Sequence, residues 1–429
     1  ADLDNDGDLD LVINNMNDPA EIYRNLADAP RIAVRLIGRP PNTQAIGAKL
    51  ILKTLSLGRE DRTQRREIRA GGRYLSSDDT LKVFSAAESA TAFELEIIWR
   101  SGNRTVHQDI QPNHLYIFSE PEDTPLTEQV NEASESLTES GWFEEVEGLL
   151  EHRHRDIPFS DQSRQVLQPK SLSRLGPGVS WFDLDGDGRE DLVIGTGRGS
   201  PMGVYYNRIE DGFVPLVSPS SKKPAYRDTT GVLGYHRGQN ERHLLIGSSN
   251  YEDGSPQGLA VRRIQLSPQP MTGRIPVSSS SVGPLAIADF DGDGDLDLFV
   301  GGRVKPGRYP EPADSQLYLD QGGEWVLDEV NSETLRKVGL VSGALFSDLN
   351  GDGQPELILA CEWGPLKIFE NVDGRLRETT EQWGLQGSVG WWNSVSSGDF
   401  NGDGRLDLVA GNYGWNNRYH AAGVDQVRI

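Results

Sequence analysis

The stretch DFDGDGDLDLFV, residues Asp289–Val300, carries carboxylates at its first, third, fifth and ninth positions and a glycine at its sixth, then runs into an apolar segment. Four more segments repeat that spacing: DLDNDGDLDL from Asp2, DLDGDGREDL from Asp183, DLNGDGQPEL from Asp348 and DFNGDGRLDL from Asp399. The oxygen-bearing positions are Asp2, Asp4, Asp6 and Asp10; Asp183, Asp185, Asp187 and Asp191; Asp289, Asp291, Asp293 and Asp297; Asp348, Asn350, Asp352 and Glu356; and Asp399, Asn401, Asp403 and Asp407. The five ten-residue windows hold 21 of the 65 acidic residues, and the rest of the chain is close to neutral. Each window continues into a short β-type run (DLVIN, DLVIG, DLFVG, ELILA, DLVAG), so these are loops between strands.

Like charges crowded into one tight turn repel, and a cation offsets that repulsion. Oxygens at positions 1, 3, 5 and 9, a backbone carbonyl at 7 and a glycine free to take positive φ at 6 suit calcium, so up to five calcium ions are expected. Magnesium demands a small octahedron, and zinc wants His or Cys, which the loops lack. An EF-hand is excluded: its bidentate Glu at position 12 is replaced here by Ile13, Ile194, Val300, Leu359 and Ala410.

Across all 429 residues only 36% are hydrophobic, while 48 Gly and 24 Pro favour many short turns over long helices, which predicts an all-β protein. A formal charge of −23 argues against a nucleic-acid partner, because binding a phosphate backbone requires clustered Lys and Arg. No apolar run approaches the roughly 18–20 residues of a bilayer-spanning helix, so no transmembrane segment is expected. The single cysteine, Cys361, permits no internal disulfide.

The first ligand positions from Asp183 onward are separated by 106, 59 and 51 residues. In the widest gap, GVLGYHRGQNERHLLIG keeps the strand pattern but has Tyr235, Arg237, Gln239 and His243 where carboxylates would stand, which predicts a blade without an ion. A period of about 50–60 residues with several short strands fits a β-propeller, whose radial repetition protects sheet edges. The segments EIYRN, GVYYN, SQLYL and LKIFEN also recur, each as the expected end of a blade. Loops and strands together resemble FG-GAP (VCBS-type) repeats over residues 1 to about 25 and about 141 to 429. That resemblance implies calcium on the loops between blade strands. Neutral Asn350 and Asn401 predict weaker sites in the last two loops.

Residues 32–119 alternate as IAVRLIG, AKLILKT, FELEIIW and HLYIF between turn-rich stretches, which predicts a compact β-rich module. Residues 120–140 read as an acidic, solvated linker. Through AIGAK (Ala45–Lys49), GGRYLSSDD (Gly71–Asp79) and WRSGNR (Trp99–Arg104) the module resembles an ASPIC/UnbV domain. It departs from the pattern at Arg100, where the family has Pro, and at Val83–Ala86, where VFSA replaces a Phe-Gly-rich turn. The order of parts resembles the cartilage-acidic-protein-like family. On this reading residues 1–31 are the last blade remnant of a first propeller, and residues 141–429 are about five blades of a second, with both ends cut and the ring incomplete.

No GxSxG, HExxH, P-loop or CxxC motif is present. His152 and His154 in EHRHRD could form a metal pair or an acid/base site, or simply hydrogen-bond where the second propeller begins. Cys361 reads as a buried, inert thiol. Trp391, Trp392 and Trp415 could stack on a glycan, although packing between blades is the plainer use. The reading is therefore a non-enzymatic, calcium-binding propeller scaffold for protein or glycan recognition or adhesion, placed extracellularly, at the cell surface or in the periplasm. The alternatives are a polysaccharide-active lyase or hydrolase on the same frame, or a structural spacer of a surface assembly.

Overall fold

The computed structural model describes residues 2–413, apart from 5, 14, 16–17, 28, 56–61, 87–89, 91, 122–128, 133–142, 147, 209–211, 217–222, 239–240, 258–259 and 268–270. The expected all-β architecture is present, and the described helices are two short ones, Asp161–Arg164 and Glu329–Thr334. No described helix is long and apolar enough to cross a membrane.

Three consecutive antiparallel sheets have the four-stranded form of a propeller blade. Blade 2 is Val179–Phe182, Asp191–Ile194, Gly203–Asn207 and Phe213–Pro215. Blade 3 is Thr229–Arg237, Glu241–Ser248, Ala260–Ser267 and Met271–Pro276. Blade 4 is Ser281–Ala288, Asp297–Val304, Gln316–Asp320 and Trp325–Leu327. Blade 5 adds Leu340–Ser347, Glu356–Gly364, Lys367–Asn371 and Leu376–Glu378, and blade 6 begins with Gly390–Gly398 and Asp407–Asn412. The first two strands of blades 4 and 5 are buried along most of their length, because they face neighbouring blades on both sides. Blade 3 keeps this form without an acidic loop. Tyr235 stacks on His243 there at 5.0 Å, while Gln239 lies outside the described residues.

Two sequence expectations are corrected. EIYRN, GVYYN, SQLYL and LKIFEN do not end their blades. Each is followed by an outer strand of only three residues, Phe143–Glu145, Phe213–Pro215, Trp325–Leu327 or Leu376–Glu378. The first of these also overturns the reading of residues 1–31 as the remnant of a separate propeller. Leu11–Ile13, Glu21–Asn25 and Phe143–Glu145 form one sheet, with Tyr23 opposite Glu145 and Asn25 opposite Phe143. This blade 1 packs on blade 2 through Leu3, Ile22, Trp181, Leu192 and Tyr205. The module is thus inserted inside a blade, between its Glu21–Asn25 and Phe143–Glu145 strands.

The module has two four-stranded sheets. One holds Arg31–Ile37 parallel to His114–Ser119, and the other pairs Lys49–Leu55 with Ala92–Ile98. Ile32, Leu50, Phe84, Leu95, Ile97 and Trp99 fill the space between them. Within the predicted linker, Gln129–Glu132 pairs antiparallel with His114–Ser119, so that part is sheet and not free chain. Residues 122–128 and 133–140 lie outside the described residues.

One module segment, Glu67–Asp79, enters the propeller axis and touches the innermost strand of five blades. Ser77 exchanges backbone hydrogen bonds with Val179 and Trp181 of blade 2, and Val232 N–H of blade 3 donates to the Leu75 carbonyl at 3.2 Å. Ala70–Gly71 pairs with Ile287 and Ala286 of blade 4. Ser347 of blade 5 donates its hydroxyl to Glu67 Oε2 at 2.5 Å, and Arg69 Nη2 donates to the Ser397 carbonyl of blade 6 at 2.7 Å. Two glycines allow this approach. Gly71 sits at φ 84° with the Leu285 carbonyl where a side chain would begin, and Gly178 faces the Leu75 carbonyl more closely still.

Candidate functional site: the acidic loops

Each acidic loop turns on a glycine at its sixth position with positive φ: Gly7 at 89°, Gly188 at 84°, Gly294 at 95°, Gly353 at 92° and Gly404 at 80°. With that turn made, the first carboxylate can accept amides from within its own loop. Gly7 N–H donates to Asp2 Oδ2 at 3.0 Å, Gly188 N–H to Asp183 Oδ2 at 3.1 Å and Gly404 N–H to Asp399 Oδ2 at 3.0 Å. Three loops bring carboxylate oxygens within 4.8 Å of one another: Asp2, Asp4 and Asp6; Asp183, Asp185 and Asp191; and Asp289, Asp291 and Asp297. Oxygens so spaced fit the coordination of a hard divalent cation.

Not every predicted ligand joins these sets. Asp187 is turned outward, with its Oδ2 accepting from Arg189 Nε at 3.0 Å and Arg208 Nη1 at 2.8 Å. Asp293 accepts the Asp295 N–H at 2.9 Å, and Asp403 the Arg405 N–H at 2.9 Å.

The ninth position has a second duty that spacing alone does not disclose. Asp191 accepts Leu184 N–H and Asn207 N–H, both at 2.8 Å, which ties the loop to the end of the blade's third strand. Asp10 does the same with Leu3 and Asn25, and Asp297 with Phe290 and Asp320. Asp407 takes the Phe400 N–H at 3.0 Å. Burial pushes up Asp10 to about 6, Asp191 to about 7, Asp297 to about 8 and Glu356, the ninth position of the fourth loop, to about 7, as it does Asp2, to about 7. The Asn or Asp that closes each third strand was the available sequence signal. Asn207 and Asn371 go further and donate across blades, to Leu3 O at 3.2 Å and Phe290 O at 2.7 Å.

The module sits over the loop face and brings a cation to every acidic loop. Arg31 meets Asp6 and Asp8, at 3.3 and 3.5 Å, and Arg35 donates to the Gly188 carbonyl at 2.8 Å. Arg100, the residue that departs from the family pattern, spans two loops, with Nε 3.1 Å from Asp289 Oδ2 and Nη1 donating to the Gly353 carbonyl at 2.9 Å. Lys49 is paired with Asp348, and Arg65 donates to the Gly404 carbonyl at 3.2 Å. At blade 3, which has no acidic loop, the module offers neutral groups instead: Thr43 Oγ1 donates to the Gly238 carbonyl, and Gln44 Oε1 accepts the His236 N–H.

The remaining candidates have structural partners. His152 Nδ1 lies 2.8 Å from the Tyr205 hydroxyl, and burial, then the charge of His154, pushes its pKa down to about 4. His154 is buried and lowered by burial. Trp391 is packed between Trp363 at 4.9 Å and Tyr413 at 4.6 Å, with the Lys170 ammonium 4.2 Å from its ring centre. Trp392 donates to the Ser388 carbonyl at 2.8 Å, and Trp415 lies outside the described residues. Cys361 is buried and its thiol is pushed up to about 12, so a thiol-reactive dye should label it only after denaturation; native labelling within minutes would contradict this. A further acidic group, Asp156, Asp228 and Glu252, was not foreseen because its members are distant in sequence, and it is partly neutralised by Arg198.

Comparison with known proteins agrees with this anatomy. The FG-GAP-like repeat family matches residues 348–410, and the ASPIC and UnbV family matches residues 38–125. Cartilage acidic protein 1 of Mus musculus is 23% identical over 282 residues, an alignment covering 60% of this chain and 43% of that protein. The chain therefore spans less than half the length of that relative. The two domain matches and the likeness to cartilage acidic protein 1 together support the cartilage-acidic-protein-like family, to which the acidic loops and the Ala45–Lys49 and Trp99–Arg104 motifs had pointed.

Proposed function

We propose that this chain is a calcium-stabilised β-propeller scaffold that acts outside the cytoplasm in recognition or adhesion, with a protein or glycan as its partner and without catalysis of its own. The observation that carries the proposal is the gathering of three carboxylates in each of the first three loops, with raised Asp2, Asp191 and Asp297 buried among them. The ion would be held by Asp2, Asp4 and Asp6; by Asp183, Asp185 and Asp191; and by Asp289, Asp291 and Asp297. When bound it supplies positive charge that keeps these groups ionised and the loops closed, so binding free energy becomes folding free energy. A carboxylate so engaged is a poor general acid, and the two buried histidines have structural partners, which favours a scaffold over an enzyme. The extracellular setting draws support from the domain types and from dissociation constants on the order of 10⁻⁴–10⁻³ M for calcium modules bathed in millimolar ion.

Calorimetric titration of the intact chain with calcium should show uptake in that range, with stability raised by about 1–3 kcal/mol per filled site at saturating ion and the melting temperature raised with it. No uptake, together with melting unmoved by EGTA, would remove the proposal. Glycan turnover abolished by His152→Ala would favour the enzymatic alternative.

A further inference from the structure

We infer that the fourth loop, residues 348–356, is closed by the chain's own Lys49 and Asn350 and takes up no calcium, so that it anchors the module with or without the ion; this rests on the calcium reading of the first three loops. Every carboxylate of this loop already has donors from the chain. Asp348 accepts Gly351 N–H at 2.7 Å and Gly353 N–H at 2.8 Å, and it also meets the Lys49 ammonium, in a pair whose side chains are 9% and 4% exposed. Asn350 Nδ2 donates to Asp352 Oδ2 at 3.0 Å and to Glu356 Oε1 at 2.9 Å.

The orientation of that amide is fixed, because its Oδ1 accepts the Asp352 N–H at 2.8 Å. An N–H therefore points inward at the third position, where the first three loops present a carboxylate. Arg100 also meets Asp289 in the third loop, but there the third position is the carboxylate of Asp291; in the fourth loop a cation entering would meet the inward amide as well as the ammonium, and the two together repel it.

Glu67 stands directly across the strand pair from Lys49, and its carboxylate accepts the Asp348 N–H at 3.2 Å. The pair thus grips Asp348 by side chain and by backbone. The fifth loop provides the contrast: Asn401 repeats the inward amide at 3.3 Å from Asp403, yet Arg65 reaches only a carbonyl, and among the described residues no lysine ammonium is paired with Asp399.

Calcium itself serves as the probe, on the intact chain. Titration should give the same number of equivalents for Asp348→Asn as for the wild type, while Asp289→Asn loses one. Loss of one equivalent in Asp348→Asn would overturn the inference. Hydrogen exchange gives the same test without a variant. Amides of 183–191 and 289–297 should slow in calcium relative to EGTA while those of 348–356 stay unchanged, and calcium-dependent slowing in 348–356 would refute it. If no loop responds to calcium, the calcium reading fails on its own. Lys49→Met in EGTA then decides whether the ammonium closes the loop: faster exchange across 348–356 is expected, and unchanged exchange there sinks the idea.

Discussion

Gly178→Ala is expected to unseat the module from the propeller axis and to destabilise the chain by about 3 kcal/mol or more, at or beyond the upper end of the usual cost of overpacking. The added methyl would overlap the Leu75 carbonyl group of the inserted segment, and the Thr230 carbonyl oxygen of blade 3 stands 3.1 Å away. These neighbours are main chain, so no side-chain rotation relieves the overlap. The strand must move, and with it go the Val232 N–H bond to Leu75 and the Ser77 bonds to blade 2. Gly387→Ala is the control, since nothing lies within 4 Å of the new atom, and a change within about 0.5 kcal/mol is expected. Calorimetry should show the Gly178→Ala transition lowered or split in two. A melting profile identical to that of the wild type would mean that the axial segment contributes little to holding the parts together.

Without calcium, stability should fall as pH rises from 6.5 to 8. Burial raises Asp2, Asp191 and Glu356 to about 7 and Asp297 to about 8, above their ordinary values of 3.8 for Asp and 4.5 for Glu. The folded chain therefore holds protons that the unfolded chain has released. That contribution is complete below the unfolded values and is lost as pH climbs through the raised ones. Buried His152 and His243, lowered to about 4, act in the opposite direction, but their effect lies below pH 6.5, where the unfolded imidazole gains its proton. Lys82 and Lys170, lowered by burial to about 8, start to release protons near the top of this window and oppose the trend there, so the fall is steepest between pH 6.5 and about 7.5, where the carboxylates, Asp8 and Asp228 among them, dominate. Calcium selects their ionised form, so saturating ion should flatten or reverse the slope. Melting curves at half-unit steps in EGTA and in calcium test this directly, and parallel pH profiles under the two conditions would contradict it.

Much of this anatomy is legible in the chain because it is written in local chemistry. The five loops announce themselves by charge and glycine spacing, and the second strand of each blade follows at once as an apolar run. The outer strands are not legible. Phe143–Glu145 is exposed throughout, and three residues carry no period. Its partner, Glu21–Asn25, lies more than a hundred residues earlier, and no local signal encodes such a pairing. GGRYLSSDD stands out in the sequence only as part of the ASPIC/UnbV resemblance, and its glycines serve a close approach to other blades that only the assembled ring reveals. Loop ligands at the ninth position were identified as oxygen donors, while their backbone partners at Leu184, Phe290 and Phe400 follow from turn geometry and not from residue type. Lys49 and Arg100 illustrate the same limit: their partners Asp348 and Asp289 are set by how one part docks on the other.

The insertion point of the module has a consequence for biosynthesis. Blade 1 lacks its outer edge until Phe143–Glu145 has left the ribosome, and the inner rims of blades 2 to 6 are stitched to a segment synthesised long before them. The module closes on itself once His114–Ser119 has paired with Arg31–Ile37, and it can then serve as a mandrel around which later blades wind in order. A nascent chain whose residues 31–145 have all cleared the ribosome should therefore already protect the module from protease, whereas the ring can gain protection only as each successive blade emerges.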